Sequence, residues 1–291
     1  EMEDRMAEVL MRGADVNAAM KENMAGRVER LKEKGIQPVL NIIRVGKRAD
    51  DLAYERGAGR RMESVGVEMR VTELAEDISM ERLIETFSDI NEDGNVHGIM
   101  LFRPLPGHLD EAEIASLIDP AKDVDCMSPV NIAKVFTGDE SGFAPCTAQA
   151  VMEMLDRYEM DLRGKNVTIV GRSMVVGKPL AMLMLKKNAT VTICHTGTAN
   201  LAEECRRADI VVAAAGKAKM ITADMIRKGS VVVDVGINVD EDGNLCGDVD
   251  FESVAQLTSR ISPVPGGVGG VTSSVLAEHV IRAAETAEQR E

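Results

Sequence analysis

The stretch NVTIVGRSMVVGKPLAMLMLKK, Asn166 to Lys187, decides the fold. Its opening five residues are mostly β-branched and apolar, which predicts a short strand over Asn166–Val170. The closing part predicts a helix over Lys178–Lys187. The junction, Val170-Gly-Arg-Ser-Met-Val-Val-Gly-Lys-Pro179, lies where a phosphate-binding turn belongs. Glycine there lets the backbone approach phosphate oxygens, and the free N–H groups of a helix start attract negative charge. The spacing of Gly171 and Gly177 is not G-x-G-x-x-G, and a tight packing turn between strand and helix has the same local signature.

Reading outward toward the carboxy end, strands are predicted at Thr190–Cys194, Ile210–Ala214, Val231–Val235 and Arg260–Ser262. Helices are predicted at Leu201–Arg206 and Thr272–Glu288. The segment Pro263–Gly270 is too glycine-rich for the interior of either. Toward the amino end, a helix is predicted from Met6 to Lys34, interrupted near Gly13 and stopped by Gly35. Strands follow at Val39–Val45, Val67–Leu74 and His97–Phe102, separated by helices at Asp50–Val65 and Glu81–Asn91. Asp119–Ser128 reads as loop and Ala148–Tyr158 as a connecting helix. Helices alternating with short apolar strands predict an α/β fold with mostly parallel sheets. With 291 residues, two domains are expected.

Composition narrows the function classes. A net charge of −14 argues against a nucleic-acid or anionic-membrane surface, both of which need clustered cations. A local pocket for a small anion stays open. Aromatics make up 2% of the chain, and the 18 methionines are expected to fill core gaps. The five cysteines, Cys126, Cys146, Cys194, Cys205 and Cys246, form no C-x-x-C pair and read as reduced thiols of a cytoplasmic enzyme. His97, His108, His195 and His279 show no metal-ligand spacing, so no metal is expected. No apolar run is long enough to span a bilayer, and the start Glu-Met-Glu-Asp-Arg does not resemble a signal peptide.

The strand ending at Cys194-His-Thr-Gly-Thr198 lacks the acidic residue that would bind an unphosphorylated ribose. Arg172 with Thr196 could instead hold a 2′-phosphate, favouring NADP with NAD as the alternative.

Several motifs then converge. Asp123-Val-Asp125, Pro145-Cys-Thr147, Val170-Gly-Arg-Ser173 with Val176-Gly-x-Pro179, and Pro263-Val-Pro-Gly-Gly-Val-Gly269 occur in order, with Tyr54, Gly66 and Pro104-Leu-Pro106. Together they resemble the methylenetetrahydrofolate dehydrogenase/methenyltetrahydrofolate cyclohydrolase family from about Val16 onward. The resemblance implies two α/β domains with a cleft between them. Residues 1–146 with the terminal helix 273–291 would carry the folate site, and 147–272 a Rossmann-type NAD(P) domain. It implies a homodimer, a small-molecule folate substrate, and a two-step chemistry. Hydride passes from 5,10-methylenetetrahydrofolate to the nicotinamide, and water then opens the methenyl product. On the folate side, the resemblance implies roles for Tyr54, Asp125, Pro265, Gly266 and Gly267. Tyr54 would stack on the substrate, and Asp125 would accept hydrogen bonds from the pterin, although a loop aspartate making an Asx turn reads the same in isolation. For the cofactor it implies Gly171, Arg172, Ser173, Val176, Gly177, His195, Thr196, Ile237, Gly269 and Thr272.

Two positions depart from the pattern. The family's lysine in Tyr-x-x-x-Lys is Ala58 here, and its glutamine is Phe102. Both belong mainly to the cyclohydrolase step. Alanine cannot move a proton and phenylalanine cannot orient water. The expectation is a dehydrogenase with weak or absent cyclohydrolase activity. The alternatives are a bifunctional enzyme that recruits Arg56, Arg60 or Arg103, and a folate- and dinucleotide-binding protein without turnover.

Overall fold

The computed structural model describes residues 10–289. The chain forms two compact units. One comprises Ala19–Cys146 with the residues from Ser273 onward; the other comprises residues 10–18 with Thr147–Thr272. The sequence reading assigns everything before residue 147 to the first unit, and residues 10–18 depart from it. Leu10 bridges in parallel to Ile261, and the Met11 N–H donates to the Ile261 carbonyl at 2.8 Å. Those two apolar residues are thus extended rather than helical, and α1 (Gly13–Glu33) begins only at the glycine. The rest of the expected helix, residues 6–9, lies outside the described residues.

In the first unit, β1 (Val39–Val45), α2 (Ala49–Val65), β2 (Glu68–Leu74), α3 (Met80–Glu92) and β3 (Gly98–Leu101) form a parallel sheet of order β2-β1-β3. β1 is buried along its whole length, as its unbroken apolar run requires of a central strand. β2, at the edge, is half-exposed. Ile43, Leu83, Phe87, Ile99 and Ile114 form much of the core beneath it. Two helices absent from the sequence reading follow, α4 (Glu111–Leu117) and α5 (Pro129–Thr137). Each starts on a side-chain cap. Asp110 accepts the N–H groups of Ala112 and Glu113, and Ser128 accepts that of Val130.

The second unit runs α6 (Cys146–Arg157), β4 (Asn166–Val170), α7 (Gly177–Lys186), β5 (Thr190–Cys194), α8 (Leu201–Arg207), β6 (Ile210–Ala213) and β7 (Val231–Asp234). A two-stranded hairpin, β8 (Asn238–Val239) with β9 (Leu245–Cys246), precedes α9 (Phe251–Ala255) and β10 (Arg260–Ile261). The five parallel strands are ordered β10-β7-β6-β4-β5. The order reverses at β4, which pairs with β5 on one side and β6 on the other. The carboxyl ends of strands flanking such a reversal open a crevice where ligands bind. The last helix, α10 (Thr272–Glu288), is tied to α1 within the first unit by Arg27, whose guanidinium bonds Glu278 and Glu285 at 3.0 and 2.7 Å.

Candidate active site

The turn after β4 is built by backbone contact. A Cβ on Gly171 would overlap the Ala214 carbonyl oxygen, and one on Gly177 would overlap the Gly171 carbonyl oxygen. Gly171 has φ 139°, a value that side chains disfavour. The chain therefore folds back on itself before α7, and Ser173 accepts the Val176 N–H at 3.0 Å to close the turn. Arg172 and Ser173 are exposed beside it. Because Val170 pairs with Cys194, the segment carrying His195 and Thr196 leaves the sheet at the same edge. His195 donates its N–H to Thr198 Oγ1 at 2.9 Å and accepts the Gly197 N–H on Nδ1 at 3.0 Å, so the loop is fixed and Thr196 stays exposed.

At the carboxyl end of β7, Ile237 has 66% of its surface exposed. Its Cδ1 lies 3.5 Å from where a Cβ on Gly269 would stand. Thr272 Oγ1 donates to the Gly269 carbonyl at 3.0 Å, and Pro265 and Gly266 are exposed while Gly267 is buried. The Pro263–Gly270 segment is an ordered loop ending in a single short helical turn, Val268–Gly270.

In the first unit, Tyr54 and Ala58 lie four residues apart on α2 and therefore share a face. Phe102 directly follows β3 and donates its N–H to the Ile43 carbonyl at 3.0 Å. Its ring meets Tyr54 edge-on, with centroids 5.6 Å apart and planes at 87°. Ala58 is 1% and Phe102 6% exposed, so both side chains are core hydrocarbon. Arg56 and Arg60 are exposed, and half-buried Arg103 faces Glu111 at 3.8 Å.

The motif Asp123-Val-Asp125 runs beside β3, where Asp123 bridges Ile99. The two carboxylates have different duties. Asp123 is buried and accepts from Met127 N–H, Ser128 N–H and Asn131 Nδ2 at 2.8 to 2.9 Å. That makes it a structural staple. Asp125 is half-buried and accepts the Cys146 N–H at 3.0 Å. Burial raises its pKa, opposed by hydrogen bonds from Cys146 and by the nearby Arg103 charge.

Three further groups support these segments without having been singled out as site residues in the sequence. Buried Asp248 accepts the N–H groups of Ala215, Gly216 and Lys217 and the Asn238 amide. Buried Asp234 accepts those of Gly236, Asp248 and Val249. Burial lifts the Asp234 carboxyl to about 6. His279 on α10 is buried behind the Asp125 segment, its Nδ1 2.8 Å from the Val124 carbonyl and 3.8 Å from Cys146 Sγ. Burial pushes the His279 pKa down to about 4, so the ring is neutral and its Nδ1–H donates to the carbonyl. These partners lie far apart in sequence, and only an isolated Asp or His was visible. All five cysteines are buried and free. Among the described residues, no group of three His, Cys, Asp or Glu could hold a metal ion, and no helix is long and apolar enough to cross a membrane.

Comparison with known proteins agrees with the two-domain α/β fold. Residues 11–125 match the model of the tetrahydrofolate dehydrogenase/cyclohydrolase catalytic domain, and residues 145–288 match that of its NAD(P)-binding domain. The bifunctional protein FolD of Clostridioides difficile is 53% identical over 274 residues, covering 94% of this chain and 96% of that protein. The FolD methylenetetrahydrofolate dehydrogenase/cyclohydrolase of Campylobacter jejuni superposes with a TM-score of 0.93 at 40% identity, covering 95% of this chain and 98% of that one. The Trypanosoma brucei enzyme, solved with NADP cofactor and an inhibitor, superposes with a TM-score of 0.91 at 34% identity, covering 97% and 98%. The chain belongs to the tetrahydrofolate dehydrogenase/cyclohydrolase family.

Proposed function

We propose that this chain oxidises 5,10-methylenetetrahydrofolate to the methenyl form with NADP in preference to NAD, and that it opens the methenyl product weakly or not at all. The observation carrying the second clause is the pair of buried hydrocarbon side chains, Ala58 and Phe102, around Tyr54. Neither offers a proton or a hydrogen bond to water, and the neighbouring arginines are poor replacements because a guanidinium rarely gives up its proton.

The residues fit a dinucleotide. The Gly171 and Gly177 turn brings backbone close where a Cβ would intrude, next to a helix start that favours phosphate. The cofactor, when bound, supplies the hydride acceptor. Arg172 and Thr196 are exposed on adjacent segments and suit a 2′-phosphate. The NADP bound to the Trypanosoma brucei relative supports that preference. In this reading Tyr54 holds the substrate ring and Asp125 accepts pterin N–H groups. Hydride transfer needs no acid or base from the protein, only orientation and exclusion of water. The proposal includes a homodimer, a cytoplasmic location, and folate binding chiefly by residues 19–146.

The names of the curated relatives favour a second reading, full bifunctionality, since the Clostridioides difficile protein is called bifunctional at 53% identity. A paired assay decides. One arm follows methenyltetrahydrofolate formed with NADP or NAD; the other follows loss of supplied methenyltetrahydrofolate above the buffer rate. Activity in the first arm alone supports the proposal. Activity in both supports bifunctionality, and silence in both leaves a binding protein.

A further inference from the structure

The start of α1 and the Pro263–Gly270 loop meet at three points within one compact unit, and the flanking residues Met11 and Ile261 add a fourth contact. The Met11 N–H donates to the Ile261 carbonyl and the Gly13 N–H to the Gly266 carbonyl, both at 2.8 Å. The Asn17 side-chain amide donates to the Gly270 carbonyl at 2.9 Å. Gly13 also packs so closely that a Cβ there would overlap the Gly267 carbonyl oxygen and press on the Val271 side chain at 3.2 Å. On its other side, a Cβ on Gly267 would overlap the Pro263 carbonyl oxygen. The loop backbone is therefore wedged between its own first residue and the helix start.

The helix start is itself anchored. The Tyr158 hydroxyl accepts the Arg12 N–H at 2.7 Å and donates to Asp15 at 2.8 Å. The Arg260 guanidinium lies 6.0 Å from the centre of the Tyr158 ring. A loop with glycine at 266, 267, 269 and 270 is costly to order, because glycine loses the most backbone freedom on folding. Its Val268 side chain is buried, and Thr272 Oγ1 donates to the Gly269 carbonyl. The Gly266 and Gly270 carbonyls are held by the hydrogen bonds from Gly13 and Asn17.

We propose that Gly13 and Asn17 are positioning residues for the dehydrogenase reaction. They hold the Gly266–Gly270 backbone at the height that sets the approach of substrate to nicotinamide. The inference rests on the proposed function and on the places beside folate and nicotinamide that the family resemblance implies for Gly266, Gly267 and Gly269. Hydride transfer depends steeply on the separation of the two carbons, and misplacement by about 1 Å can cost on the order of 100-fold.

The test uses the full-length protein with methylenetetrahydrofolate carrying deuterium at the transferred position. Gly13→Ala should lower kcat by about 10- to 100-fold. The primary isotope effect on kcat should rise as hydride transfer becomes limiting, while the Kd for NADP changes less than about threefold. Asn17→Ala removes the hydrogen bond to the Gly270 carbonyl without crowding and should lower kcat by a few-fold with the same rise in isotope effect. Asn17→Asp, which turns a lone pair toward the Gly270 carbonyl, should lower it further. The Asn17 variants decide the matter if Gly13→Ala fails to fold. Unchanged kcat and isotope effect in folded variants, with only the melting temperature lowered, would overturn the inference and leave the proposed function intact. An inactive wild-type protein would overturn both.

Discussion

The two units hold their functional groups by opposite means. In the dinucleotide-binding unit the critical contacts are backbone on backbone: Gly171 against Ala214 and Gly177 against Gly171. Two buried carboxylates, Asp234 and Asp248, gather the surrounding N–H groups. In the other unit the contacts are side chain on side chain, Tyr54 against Phe102 and Asp125 backed by Cys146 and His279. A site made of backbone tolerates no added atom, because the carbonyl it would meet cannot rotate away. A site made of side chains can be refitted, because rotamers can repack. On the proposed reading, this accounts for a glycine turn in one unit beside alanine and phenylalanine in the other, at the positions where the resemblance implies lysine and glutamine.

The comparison breaks first at Gly177. Gly177→Ala places a methyl on the Gly171 carbonyl oxygen, and the strain should exceed about 3 kcal/mol, equivalent to more than 100-fold in affinity if it falls on the bound state. Calorimetric titration with NADP and a thermal melt measure the two ways this cost can appear. If affinity and melting temperature both stay within twofold and a degree of wild type, the turn is not held by backbone contact.

Buried titratable groups sharpen the contrast, because their signs differ. His279 drops from 6.5 to about 4, so between those values the unfolded chain binds a proton that the folded unit does not. Its contribution is present above pH 6.5 and lost as pH falls toward 4, by roughly 3 kcal/mol. Asp234 rises from 3.8 to about 6, so its contribution is present below pH 3.8 and lost as pH rises through 6, also by roughly 3 kcal/mol. Hydrogen exchange followed peptide by peptide at pH 4.5 and 7, corrected for intrinsic rates, should show Asp125-segment amides losing protection in acid while amides around Gly236 and Val249 gain it. His279→Asn, which keeps a donor for the Val124 carbonyl, should abolish the first change. A loss of protection in acid at both segments would refute the opposed signs.

The same contrast explains what the sequence made legible. Asn166–Val170 and Thr190–Cys194 are read from β-branched runs bounded by turn residues, and the structure has strands at those bounds. Tyr54, Ala58 and Phe102 are legible because a local motif surrounds each. The strand order β10-β7-β6-β4-β5 is not, since local periodicity carries no information on which strands pair. Nor are Asp248 and His279, whose partners lie 10 to 33 and 133 to 155 residues away. α5 went unread although Ser128 and Pro129 mark its start, because nine residues give the apolar period little room to repeat. Leu10 and Met11 misled for a related reason: two apolar residues ahead of a helix fit its period as well as they fit a bridge to Ile261.

If the side-chain site is refittable, introducing the pair that the resemblance implies should supply the chemistry proposed to be weak. Ala58→Lys with Phe102→Gln should raise methenyltetrahydrofolate opening by about 10-fold or more, near the lower end of what general acid–base groups supply. Either change alone should do less, because a lone lysine is buried against Phe102 and a lone glutamine has no partner to share water with. A folded double variant without gain would mean that the loss resides elsewhere on this face. Arg61 is then the first group to examine, since its Nε is buried with no hydrogen-bond partner.

The smallest expected effect tests what Tyr54 contributes once Phe102 lies against it. The edge-on pair is worth on the order of 1 kcal/mol beyond its buried area, and it depends on the ring rather than on the hydroxyl. Tyr54→Phe should therefore change the KM for methylenetetrahydrofolate by less than about threefold. Tyr54→Ala should raise it by about 10-fold through lost stacking on substrate and lost support from Phe102. The split between the two variants is the informative quantity. Equal losses would mean that the hydroxyl holds the substrate, which would make this face a hydrogen-bonding site and remove the reason for treating it as a stacking surface.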